Sequence, residues 1–277
     1  MSSEVEASLD LSELRNSKRF LHVGRNNKEK DTTRCFAALR VYHDTASRSA
    51  ALNMAIDEAL LECAEIPSIR FYRWDHAALS FGYFARFAEV ASYAKERELV
   101  RRWTGGGIVF HRDDLTYSIV IPASDAAFSD STMSIYEKVH RALRDALASD
   151  GKRTELATVA AVCDRRIQIN SAVTDRRYND CFANPVHADV LVNGQKVAGA
   201  AQRRTRTGLL QQGSIQLATG RVRPTGGHVD LGNGLAGRFA SKLSDRCVEK
   251  FLDKRLIKRA REIAAQKYET AAWLQKR

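Results

Sequence analysis

Asn193-Gly194 sits between two runs of strand-forming character, Val186 to Val192 and Lys196 to Arg203. Asn and Gly both tolerate positive φ, so the pair suits a two-residue hairpin turn. A third run, Gly208 to Leu217, follows after four residues. A chain that folds back on itself this way builds its middle around a sheet with antiparallel neighbours.

The remaining pattern supports that reading. Ser68 to Trp74, Ala77 to Gly82, Val100 to Trp103, Gly107 to His111 and Leu115 to Pro122 read as further strands. Two helices stand among them. Between Ser47 and Ala64, the residues Leu52, Ile56, Ala59, Leu60 and Cys63 fall on three- and four-residue steps, which makes one apolar stripe that Pro67 ends. Ser134 and Glu137 have capping-box spacing. They open a helix on which Ile135, Val139, Leu143 and Leu147 recur every four residues, and Gly151 closes it. We divide the chain into a weakly ordered polar arm over 1–34, a catalytic-size domain over 35–220, and a loop with a basic helical segment over 221–277.

The 277 residues are 44% hydrophobic, enough for a full core, and no apolar run is long enough to span a membrane. The N-terminus has no apolar signal core, so a soluble, cytoplasmic protein is expected. Five scattered cysteines without a CxxC pair argue against a disulfide framework and against a zinc site. The net charge of +11 concentrates in residues 240–277, which hold eleven Lys/Arg against five Asp/Glu. Such a surface attracts acidic partners: nucleic acid, an anionic membrane or an acidic protein. No helix-turn-helix, RNP or zinc-finger pattern accompanies the charge, which disfavours nucleic acid.

Two stretches carry candidate chemistry. In RRWTGGGIVFH, Gly105, Gly106 and Gly107 leave the backbone bare, and Arg101 and Arg102 add positive charge beside them. A basic glycine turn suits a phosphate or a carboxylate, and it equally serves as a plain hairpin turn. It is neither a P-loop nor a dinucleotide fingerprint. In NDCFANPVHADVLVNGQKVAGAAQ, Cys181 precedes the hairpin and Lys196 opens its return strand, followed by Gly199, Ala200 and Ala201. An ammonium brought near a thiol lowers its pKa and makes a nucleophile of it. Burial as a small hydrophobe is the competing account of the cysteine. His111 reads either as a group that orients substrate or as a turn histidine.

Taken together, Asn53 to Leu60, Ser80 to Phe84, Arg101 to Gly107 with His111, Lys196 to Gln202 and Gln211 to Ile215 resemble the successive blocks of the lipoate–protein ligase A and octanoyltransferase superfamily. The order and spacing match over about residues 50 to 217. The resemblance implies an α+β fold, a mostly antiparallel mixed sheet with packed helices, similar to the catalytic domain of biotin and lipoate protein ligases. It implies octanoyl or lipoyl groups as substrates and a lysine of a lipoyl domain as acceptor. It places Arg102 and the glycines in a binding loop, and Lys196 at the acyl carbonyl or acyl phosphate.

Two chemistries share that superfamily. Cys181 with Phe182 resembles the acyl-accepting cysteine of LipM-like octanoyltransferases, which take the acyl group from acyl carrier protein and need no cofactor or metal. Leu115 to Ser118 and Leu210 to Ile215 lean the same way, although Gln212 stands where a histidine is usual. The GGG run is more ligase-like, and a ligase would use ATP and Mg²⁺ with Cys181 as a bystander. A biotin–protein ligase is disfavoured because RRWTGGG replaces its GRGR-type loop. A catalytically dead regulator on the same fold is a further alternative.

Overall fold

The computed structural model describes residues 34–112, 114–148, 153–158, 185–216 and 234–276. Cys181 lies outside the described residues, and so do Gly151 and Leu217. The eight-stranded sheet contains β1 (Leu39–His43), β2 (Ser68–Tyr72), β6 (Leu115–Pro122), β7 (Thr154–Leu156), β8 (Val190–Val192), β9 (Gln195–Arg204), β10 (Gly208–Ile215) and β11 (Cys247–Lys250). Its order is β11-β1-β2-β6-β10-β9-β8-β7. β1 pairs in parallel with β2 and β11, and the other neighbours are antiparallel. A second, three-stranded sheet holds β4 (Glu98–Arg101), β3 (Ala78–Phe81) and β5 (Ile108–His111), with β3 central.

The expected hairpin is present as β8 and β9, with Asn193 and Gly194 at φ 49° and 74°. Its first strand is shorter than its sequence reads, because residues 186–189 form a turn in which Ala188 takes φ 64°. β6 matches its expected bounds.

Alternation along the central strands feeds two cores. Tyr117, Ile119 and Ile121 of β6 face one side with Ile69, Phe71 and Leu209. Helix α2 (Thr132–Ala148) covers that side with Ile135, Val139, Leu143 and Leu147, and α3 (Leu235–Leu243) packs beside it. Val120 and Leu210 face the other side, under α1 (Ala50–Cys63). Helix α4 (Lys254–Ile263) lies on the outside of α1 through Leu256, Ala260 and Ile263, and its basic residues turn outward.

Three expectations need correcting. The α2 cap is Ser131, whose Oγ accepts from the Ser134 backbone N–H at 3.0 Å, so Ser134 lies inside the first turn. The apolar stripe of α1 is wider and rotated: Ala51, Met54 and Ala55 are buried while Cys63 is exposed. A helix held between a sheet and another helix is buried nearly all round, so a single stripe understates it. The C-terminal segment, read as loop and helix, also supplies β11, which adds an edge strand to β1. Among the described residues no helix is long and apolar enough to cross a membrane.

Candidate functional site

A cavity of about 290 Å³ opens where β9 and β10 of the large sheet meet β3, β5 and the glycine turn. Met54, Tyr72, Trp74, Val109, Tyr136 and Val186 give it apolar wall. Lys196, Gly199 and Ala200 line one part; Arg102, Gly106, Gly107 and His111 line another. Seven of the residues singled out from the sequence therefore meet in one place. Gly105 is not on the wall and contributes its carbonyl to the turn's own bonding.

Lys196 is nearly buried, and its Nζ lies 2.7 Å from Asp189 Oδ2. Asp189 also accepts from the Tyr136 hydroxyl at 2.5 Å and from the Val186 backbone N–H at 2.6 Å. This carboxylate is held in place from both sides. His140 supports the same turn: it donates from Nδ1 to the Ala188 carbonyl at 2.7 Å and accepts from the Tyr117 hydroxyl at Nε2. Burial, before any neighbour, lowers the His140 pKa to about 4, so the ring is neutral at pH 7. Gly199 explains why the lysine can lie where it does. A Cβ there would sit 2.7 Å from Lys196 Cε and 2.9 Å from Nζ.

The glycine turn is fixed by two buried polar chains. In the first, Arg102 donates to the carbonyls of Gly105 and Gly107 at 2.9 and 2.7 Å and to Ser80 Oγ at 2.7 Å. Ser80 Oγ lies 2.6 Å from His111 Nε2, and His111 Nδ1 lies 2.7 Å from Asp114. Thr116 and Ser214 also donate to Asp114, and His111 stacks on Trp74 at 4.0 Å. Burial pushes the Asp114 carboxyl up, but His111 and these bonds outweigh it and the net shift is downward. In the second chain Thr104 donates to Gln212, Gln212 donates to Asp57, and Asp57 accepts from Arg70, Tyr72 and Ser118. Gln212, the residue that departs from the usual histidine, bridges the glycine turn to the core. Gly106 takes φ 84°, and a Cβ on Gly82 would meet the Gly106 carbonyl oxygen at 2.0 Å. Both positions need glycine.

Arg101 is not part of the cavity. It closes β4 one residue before Arg102, so the two consecutive side chains point opposite ways. Arg101 is buried against the carbonyls of Tyr83, Ala85, Trp273 and Leu274.

The model of the lipoyl protein ligase A/B catalytic domain matches residues 49–222. The chain belongs to this family. An octanoyltransferase LipM from Staphylococcus epidermidis is 36% identical over 180 residues, 62% of this chain and 63% of the relative. One from Oceanobacillus iheyensis is 38% identical over 186 residues, 63% of each chain. The chain thus aligns with under two thirds of these relatives' length. The fold matches that of a bi-partite lipoate protein ligase from Thermoplasma acidophilum, at TM-score 0.62 and 20% identity, over 87% of this chain and 96% of that one. A lipoate-protein ligase A bound with ATP matches at TM-score 0.63 and 21% identity, over 87% and 98%.

Within the family frame, sequence reasoning missed Asp189, Ser80 and Asp114. Each had a local signal. Asp189 stands seven residues before Lys196, Ser80 opens the Ser80–Phe84 block, and Asp114 is three residues past His111.

Proposed function

We propose that the protein is an octanoyltransferase that moves a medium-length acyl group, octanoyl or lipoyl, from acyl carrier protein through a thioester on Cys181 to a lysine of a lipoyl domain. The observation that carries the reading is the cavity itself: a mostly apolar wall in which the Lys196 ammonium, pinned to Asp189, faces an ordered glycine turn braced by the buried Arg102. The names of the LipM relatives favour transfer over ligation.

In this reading the Cys181 thiolate attacks the thioester carbonyl. Lys196 binds the carbonyl oxygen as it gains negative charge. The carrier thiolate leaves and takes up a proton, so acyl-Cys181 remains. The lipoyl-domain lysine, as a neutral amine, then attacks that thioester. Its amide forms, the Cys181 sulfur departs, and the surplus ammonium proton returns to the thiolate or to water. Each half transfers one acyl group with no net redox change, and the thioester-to-amide exchange needs neither ATP nor a metal. Asp189 holds the lysine's direction throughout, and Gly199 leaves the space for it.

The test is incubation with octanoyl–acyl carrier protein in the absence of ATP, followed by mass analysis. The expected result is one octanoyl mass that maps to Cys181 and is absent from Cys181→Ala. Acyl transfer that requires ATP and Mg²⁺ and survives Cys181→Ala would instead establish a lipoate–protein ligase.

A further inference from the structure

Beside the glycine turn and outside the cavity wall, three cations converge on a set of aromatic rings. The Arg203 guanidinium lies 5.2 Å from the ring centroids of both Tyr83 and Trp103. Lys267 Nζ lies 4.3 Å from Trp103 and 4.4 Å from Trp273. Lys276 Nζ lies 4.9 Å from Tyr83 and donates to its hydroxyl. Among the described residues a single carboxylate, Glu58, joins this group, and it is taken by Lys267. Arg203 and Lys276 have no acidic partner among the described residues. Burial lowers the Lys267 pKa most, and Arg203 and Lys276 push it the same way against Glu58. The cluster therefore carries uncompensated positive charge.

The cluster is tied to the site. Trp103 directly precedes Thr104 and the glycines, and the Tyr83 N–H donates to the Thr104 carbonyl at 2.9 Å. Arg203 lies two residues beyond Ala201 on β9, whose neighbours line the cavity. The C-terminal helix α5 (Ala271–Leu274) brings Trp273, and its end is fixed by Arg101, which accepts the Trp273 indole N–H at its carbonyl and donates to Leu274. Phe84 stands next to Tyr83, edge-on at 5.1 Å, and is 66% exposed.

We propose that the cluster of Arg203, Lys267 and Lys276, with the exposed Phe84 beside Tyr83 at its edge, docks an acidic surface on the lysine-bearing protein that receives the acyl group. An exposed aromatic anchor with a charged rim is the composition of a protein-docking patch. The patch adjoins the turn that lines the cavity, so a partner seated on it presents a side chain to the site. This inference rests on the reading that a protein lysine is the acceptor, and it holds whether the acyl group arrives by thioester or by adenylate.

The experiment uses the full chain, a lipoyl domain with net negative charge, and the double variants Arg203→Glu/Lys276→Glu and Arg203→Gln/Lys276→Gln. Acceptor KM and kcat are measured at low and high salt, together with acyl loading of the enzyme alone. Charge reversal is expected to raise acceptor KM about tenfold with kcat and loading nearly unchanged, and the neutral pair to raise it less. Wild-type KM should rise with salt while that of the reversed variant does not. An unchanged acceptor KM in both variants overturns the proposal, and so does an equal rise for a short lysine peptide without an acidic surface. Binding of DNA that the variants abolish, with acceptor KM intact, reassigns the patch. If wild type transfers nothing, the proposed function fails; calorimetric titration of the lipoyl domain then reads docking directly, and absence of wild-type binding overturns it.

Discussion

The neutral, buried His140 makes stability depend on pH in a way that can be isolated. Burial, opposed by Asp189 and by its bond to the Ala188 carbonyl, brings its pKa from 6.5 to about 4. As pH falls, the unfolded chain takes up this proton first, near pH 6.5, and the fold takes it up only near 4. The sign follows: stability is complete above 6.5, declines as pH drops, and is lost in full below about 4. The total is about 3 kcal/mol, of which about 2 kcal/mol disappears between roughly pH 7 and pH 5. The assay is urea unfolding at those two pH values for wild type and His140→Gln, which keeps a donor and an acceptor but does not titrate. The variant should be less stable at pH 7 and should lose about 2 kcal/mol less on acidification. An identical pH slope in both proteins would refute the reasoning, because the proton uptake would then belong to other groups.

Three further outcomes follow from the geometry. Gly199→Ala should cut acyl transfer at least about tenfold and lower stability, because the new methyl displaces the end of Lys196 from its buried pair with Asp189; Gly105→Ala, where nothing lies within 4 Å, should leave both transfer and the melting temperature near wild type. Asp189→Ala leaves Lys196 buried without its partner and should cost about 3–5 kcal/mol in chemical unfolding. Ala188→Gly relieves a left-handed backbone and should raise stability by up to about 1 kcal/mol, read as a shift of the urea midpoint, whereas a loss would mean that the methyl packs usefully.

Local pattern alone determined much of the frame. The Asn193-Gly194 turn, the full-length β6 and the buried face of α2 are set by neighbours a few residues apart, so they are legible without a structure. β11 was not legible: all four of its residues are exposed, and only pairing with β1, some two hundred residues earlier, makes it a strand. The same distinction runs through the site. Residue types and order pointed to Arg102, the glycines, His111 and Lys196, because each is chemically conspicuous. Their orientations were decided by tertiary packing. Strand alternation sent Arg101 away from the cavity, and Ser80 and Asp114 acquired a role only when β3, β5 and β6 placed them around His111. A buried polar group must find its partner wherever the fold brings one. The sequence names the donors and acceptors; three-dimensional proximity alone selects which of them pair.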